Sequence, residues 1–221
     1  TLTGISAVLM PRFSYLFSED NKSEIKKLSR QFLNVTFLIS VPCCCGIILV
    51  ADQIVEVLFG VEFLPAISTI RILSILIVLM PLSGGVFCQL LLTAGKEKSY
   101  LACVLIGTVV NAVLNYLLIP TFTQNGAAIA SVVAEFTVSI SMIVATRRTI
   151  KVNMCCRDVF SILTSAFFMS LTLVLCHKLF SGQAVWMRLL VEIVIAVLVY
   201  FVCVFMLKNS ASSKIIRMIK K

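Results

Sequence analysis

An acid in the middle of an apolar helix is costly, and this sequence carries one at Glu135. Ala127, Ser131, Glu135 and Ser139 recur at intervals of four, so on a helix they form one polar stripe, beside a small-residue stripe of Gly126, Ala130 and Ala134. Upstream, Gly107, Asn111 and Asn115 share a face in the same way. An unpaired polar group in hydrocarbon costs roughly 4 to 8 kcal/mol on a cyclohexane scale, so these stripes must face protein or water. Small stripes also let helices approach closely. For Glu135 two readings stand: a coupling site for a proton or another cation, or a protonated, hydrogen-bonded packing residue.

Two arginines sit at run ends. Arg12 follows Pro11, and Arg71 precedes a long apolar run; each either attracts phosphate or snorkels its charge to the interface. Arg188 lies four residues before Glu192, the spacing of a local ion pair. His177, beside Lys178, reads as an amphipathic tip meeting water.

Enzyme chemistry finds little to work with. There is one histidine, no glycine-rich phosphate loop and no paired Asp-rich motif to hold magnesium, so neither a catalytic residue nor a cofactor is expected. Seven of the nine cysteines lie within or at the ends of apolar runs, and the adjacent Cys43, Cys44 and Cys45 point about 100° apart on a helix, which rules out a shared metal ion. No metal site is expected.

The elements that must carry these residues are membrane helices. Of 221 residues 60% are apolar and 13% charged, with a mean hydropathy of +1.07, outside the range of a soluble domain. A bilayer core of about 30 Å needs about 20 apolar residues per helix. Six runs meet that length: Phe32 to Ala51, Ile72 to Ala94, Tyr100 to Ile119, Gly126 to Thr146, Val159 to Cys176 and Leu189 to Leu207. A seventh, Leu2 to Phe17, is read as cut off at the start, with sequence expected upstream. The runs are continuous and do not alternate, which excludes a β-barrel. The expected class is an all-α polytopic integral membrane protein with about six complete transmembrane helices plus one truncated at the N-terminus.

The net charge of +9 is placed in loops, not on a nucleic-acid-binding face. Lys22, Lys26, Lys27 and Arg30 fill one loop, Lys96 and Lys98 another, Arg147, Arg148, Lys151 and Arg157 a third, and five cations the tail from Lys208. Between them lie loops poor in Lys and Arg: Asp52 to Ala66, Thr121 to Asn125 and His177 to Arg188. The positive-inside rule then puts the basic loops and the C-terminus in the cytoplasm. Asp52 to Pro65, with Ile54, Leu58 and Phe59 on one helical face and Asp52, Gln53 and Glu56 on the other, is expected to lie along the outer surface. Residues 147–158 make the longest polar interior loop and the expected boundary, giving a lobe over 1–150, two further transmembrane helices over 151–207 and a basic tail over 208–221. Pro11, Pro42 and Pro81 each remove a helix hydrogen bond and permit a kink.

Four segments then carry a resemblance: VLMPRFSYLF (Val8 to Phe17), ADQIVEVLFGVEFLPA (Ala51 to Ala66), QLLLTAGKEKSY (Gln89 to Tyr100) and NAVLNYLLIPTFTQNGAAIASVVAE (Asn111 to Glu135). In order and spacing they resemble the C-terminal lobe of Wzx-type polysaccharide flippases, within the multidrug, oligosaccharidyl-lipid and polysaccharide exporter superfamily. The resemblance covers about Leu2 to Ala145. It implies two helical lobes around a central cavity, here walled by Arg12, Arg71, Gln89, Asn111, Asn115 and Glu135. The implied substrate is an undecaprenyl-diphosphate-linked oligosaccharide, flipped across the bacterial cytoplasmic membrane for cell-surface polysaccharide such as lipopolysaccharide O-antigen. Implied partners are membrane lipids, a polysaccharide polymerase and glycosyltransferases, with no nucleic acid. A cation-coupled multidrug antiporter of the same superfamily and a non-transporting membrane scaffold remain as alternatives.

Overall fold

The computed structural model describes residues 2–152, 155–180, 182 and 184–207, with side chains from residue 10 onward. Its helices are α1 (Leu2–Ser18), α2 (Lys22–Leu58), α3 (Ala66–Leu73), α4 (Leu76–Pro81), α5 (Cys88–Thr93), α6 (Glu97–Arg147), α7 (Cys156–Leu179) and α8 (Val185–Met206), with a π-helical segment at Leu82–Phe87 and a 3₁₀ turn at Val61–Phe63. Five helical stretches are long and apolar enough to cross a membrane. One of them, α6, has 51 residues, about 77 Å of helix at 1.5 Å per residue, which is two crossings. The break is at Thr123, whose φ of 47° and ψ of −124° are not helical. Six complete crossings follow, and the all-helical membrane class holds. The basic tail at 208–221 lies outside the described residues.

The chain divides into two compact units: Thr1–Thr36 with Ile75–Asn153, and Phe37–Ser74 with Met154–Lys221. The run after Phe37 thus groups with the last two helices.

In the first unit the turns follow local chemistry. Asp20 takes a left-handed φ of 46°, and Asn21 Oδ1 accepts the N–H of Glu24 at 3.1 Å, capping α2. After α5, Gly95 at φ 67° lets the N–H of Lys96 reach the carbonyl of Leu91 at 2.9 Å, closing the helix end. A Cβ at Gly126 would collide with the backbone of Leu118, so the second arm of α6 can turn back against the first only through glycine. Phe13, Ile25, Leu90, Leu91 and Met142 are fully buried, while Tyr116, Leu117 and Phe136 project outward, as lipid-facing side chains do.

In the second unit α7 and α8 pack against each other, and Ile162, Ala166, Met169 and Leu173 on one and Ala196, Tyr200 and Val204 on the other are buried. One expectation is corrected here. Residues 52–58 are not a separate surface helix; they are the last turns of α2, because nothing breaks the helix before Gly60 at φ 88°. Gln53 and Val55 are fully buried, Asp52 and Ile54 half-buried, and Glu56, Leu58 and Phe59 exposed, so burial does not follow the expected polar and apolar faces. A buried amide at Gln53 is tolerable only because other polar groups meet it.

Candidate functional site

The first unit contains the polar interior that the stripes foreshadow. Pro81 lacks the N–H that a regular helix needs, and directly after it Leu82–Phe87, LSGGVF, widens into a π-helical turn. The widened turn carries Ser83 inward, where its hydroxyl donates to Glu135 Oε1 on the second arm of α6. The same hydroxyl lies 3.3 Å from both the Leu79 and the Met80 carbonyls. One hydrogen serves one acceptor at a time. With Glu135 ionised, Ser83 donates to it; with Glu135 protonated, the carboxyl can donate to Ser83 and Ser83 to a carbonyl. The site therefore satisfies either protonation state without a change of backbone.

Close helix approach places the other polar groups. A Cβ on Gly107 would overlap Val138 Cγ2 and come within 3.4 Å of the Ala134 carbonyl, so the two arms of α6 touch at this glycine. One turn further on, Asn111 comes to line the same cavity as Ser131 and Glu135. That cavity is about 570 Å³, with Ser83, Tyr100 and Thr108 also on its wall. Asn115 Nδ2 donates to Asn111 Oδ1 at 2.9 Å, which fixes the Asn111 amide. Ser139 is buried and lies 3.5 Å from the Leu79 carbonyl. Such a wall offers hydrogen bonds and one carboxyl group to a polar guest in a segment otherwise made for lipid.

Of the six residues expected on the cavity wall, the structure brings together Asn111 and Glu135, with Asn115 holding Asn111. Gln89 is half-buried on α5 and Arg12 exposed on α1; neither lines this cavity. The Gln89 side-chain oxygen is buried without a hydrogen-bond partner. Arg71 belongs to the second unit, where its Nε donates to the Ile48 carbonyl at 3.1 Å. Ser83 was missed by sequence reasoning. Its signal is a serine between a proline and two glycines inside an apolar run.

The second unit has a polar knot of its own. Gln53 Nε2 donates to Glu192 Oε2 at 2.6 Å and lies 3.1 Å from His177 Nδ1, so α2, α7 and α8 meet at one amide. The His177 Nδ1 also lies 3.7 Å from Glu192 Oε1, so the imidazole edge faces both the amide and the carboxylate. His177 is thus more than a wetted tip, although it is 41% exposed. Glu192, 1% exposed, also faces Arg188 Nε at 3.8 Å, the expected pair four residues apart. A cavity of about 180 Å³ lies alongside, lined by Asp52, Arg71, His177, Lys178 and Glu192. A second cavity in this unit, about 330 Å³, is apolar, walled by Leu38, Ile39, Ile47, Met169, Val197 and Phe201 among others.

The family model of the lipid II flippase MurJ matches residues 2–202. The capsular polysaccharide biosynthesis protein CapF of Staphylococcus aureus is 27% identical over 140 residues, which are 62% of this chain and 34% of that protein. A solved lipid II flippase MurJ in an inward closed conformation superposes with a TM-score of 0.71 at 14% identity, covering 100% of this chain and 45% of that one, which shows the same fold. The chain spans about a third of the curated relative's length and under half of the solved one's. A family model that matches nearly the whole chain, with the fold shared by the solved structure, settles the family: this chain belongs to the lipid II flippase MurJ family.

Proposed function

We propose that this chain forms part of a flippase that carries an undecaprenyl-diphosphate-linked oligosaccharide across the bacterial cytoplasmic membrane for cell-surface polysaccharide export. The observation that carries the reading is the polar cavity of about 570 Å³ walled by Ser83, Asn111, Ser131 and Glu135 within membrane-spanning helices. Sugar hydroxyls that crossed hydrocarbon unpaired would cost several kcal/mol each, and a polar wall removes most of that barrier.

The C-terminus is cytoplasmic in this reading. Loops expected on one side do converge: Lys26 and Arg30 share a cavity with Lys151, and Lys96 and Lys98 share one with Arg148. With an inside-negative potential, each phosphate charge moving outward gains roughly 2.3 kcal/mol per 100 mV, so alternating access need consume no ATP. Polysaccharide polymerase and glycosyltransferases are the natural partners at either end of such a path.

Proteoliposomes of the intact protein, loaded with either lipid II or a capsular-type repeat on undecaprenyl diphosphate, test the proposal. Time-resolved access of an impermeant sugar-modifying reagent reports translocation. Faster exposure than in empty liposomes is expected for at least one substrate, and the faster one names the saccharide class. Equal rates with and without protein for both would sink the reading.

Glu135 favours a second reading, a cation-coupled drug antiporter. There Glu135→Gln abolishes ethidium efflux from cells; with a flippase, no ethidium efflux above the empty-vector level is seen in the wild type.

A further inference from the structure

Asp52, Arg71, His177, Lys178 and Glu192 bring both signs of charge to one cavity of about 180 Å³ in the second unit. Three of them stand directly at the ends of apolar runs: Asp52 follows Ala51, Arg71 precedes Ile72 and His177 follows Cys176. The cavity therefore lies at the level of lipid headgroups. Val50 and Leu173 line both this cavity and the apolar one of about 330 Å³, so polar and apolar space adjoin within the unit.

Opposite charges line the cavity without meeting. Among the described residues Asp52 forms no ion pair with Arg71 or Lys178, and its Oδ1 is buried without a hydrogen-bond partner. Glu192, 1% exposed, accepts from Gln53 at Oε2, whereas its Oε1 faces His177 and Arg188 at 3.7 and 3.8 Å and accepts no hydrogen bond. Arg71 is held by the Ile48 carbonyl through Nε, and Lys178 is exposed with no ion pair among the described residues.

A guest that bridges Asp52 and Lys178 must carry a cation and an anion a short way apart. Its cation must also donate hydrogen bonds, because a buried charged acceptor left unmade is costly. A primary ammonium has three N–H donors and a quaternary one has none. A molecule that reaches into the apolar cavity as well is an amphiphile and not a soluble zwitterion.

We infer that this cavity binds the headgroup of phosphatidylethanolamine, with the ammonium at Asp52 and Glu192 and the phosphate at Lys178 and Arg71. The site does not rest on the flippase reading.

Native mass spectrometry of the intact protein, delipidated and titrated with phosphatidylethanolamine, phosphatidylcholine or phosphatidylglycerol of the same acyl chains, tests the site. Phosphatidylethanolamine is expected to bind about tenfold more tightly than either of the others, the worth of one hydrogen bond to a charged group. Asp52→Asn should lower its affinity roughly fivefold and that of phosphatidylcholine less, which narrows the preference. Lys178→Gln should weaken both zwitterionic lipids alike, again roughly fivefold, with no change in melting temperature because the side chain is exposed. Lys96→Gln/Lys98→Gln, in the other unit, should change none of the three affinities. Phosphatidylcholine bound as tightly as phosphatidylethanolamine would mean that no ammonium is recognised, and phosphatidylglycerol bound tightest would mean a plain basic surface. Either ranking in the wild type overturns the inference, and so does a folded Asp52→Asn or Lys178→Gln variant with wild-type affinity for phosphatidylethanolamine.

Discussion

The hydroxyl of Tyr200 donates to the carbonyl of Leu38 at 2.8 Å, and Leu38 stands four residues before Pro42. In a regular helix that carbonyl would accept the N–H of residue 42, which proline lacks. A side chain from α8 thus fills the vacancy that a proline opens in α2, inside the second unit. Tyr200→Phe should lower stability by about 1 to 2 kcal/mol, read as a drop in melting temperature in detergent. In a Pro42→Ala background the same change should cost much less, because the helix then satisfies Leu38 by itself. Equal costs in both backgrounds would show that the tyrosine acts through packing alone.

Gly107 and Gly126 both sit at close approaches, but against different obstacles. The atom a Cβ at Gly107 meets is the end of the Val138 side chain; at Gly126 it is the Leu118 backbone. Gly107→Ala should cost about 1 to 3 kcal/mol and be largely rescued by Val138→Ala. Gly126→Ala should cost at least as much and find no rescue in any side-chain change at 118. Thermal unfolding of the four variants checks the pattern.

Run lengths and charge placement made the membrane helices legible, and periodicity made the Asn111 and Glu135 faces legible, because both are properties of single helices. What joins helices was not. The π-helical turn that aims Ser83 at Glu135 depends on how Pro81 is accommodated, and the sequence shows only that a bond is missing. Gln53 looked like part of a wet outer face because its partners, His177 and Glu192, lie over a hundred residues away. The grouping of residues 37–74 with α7 and α8 is likewise a long-range fact.

Glu135 and Ser83 can be separated by their effects. Ser83 has carbonyls at 3.3 Å to turn to, so Glu135→Ala should change melting temperature little. Translocation of lipid-linked saccharide should fall roughly tenfold, the equivalent of one lost hydrogen bond to a charged group. Ser83→Ala should give a smaller loss of the same kind, and adding it to Glu135→Ala should give no further loss. Additive losses would mean that the two residues act at separate points on the path.

The polar knot in the second unit predicts a ranked series. Glu192 is almost fully buried among Gln53, His177 and Arg188, so Glu192→Ala leaves cationic and amide groups buried without their acceptor. A cost of about 3 to 5 kcal/mol is expected, enough to compromise expression. Gln53→Ala removes the donor to Glu192 but leaves Arg188 in place, and should cost about 1 to 3 kcal/mol. His177→Ala should cost least, because the ring is 41% exposed and water can replace it. Glu192→Gln keeps the shape and one acceptor oxygen, so it should fall between the first two. Melting temperatures in a common detergent order the four variants. If His177→Ala proves the most damaging, the imidazole and not the carboxylate is the centre of the knot.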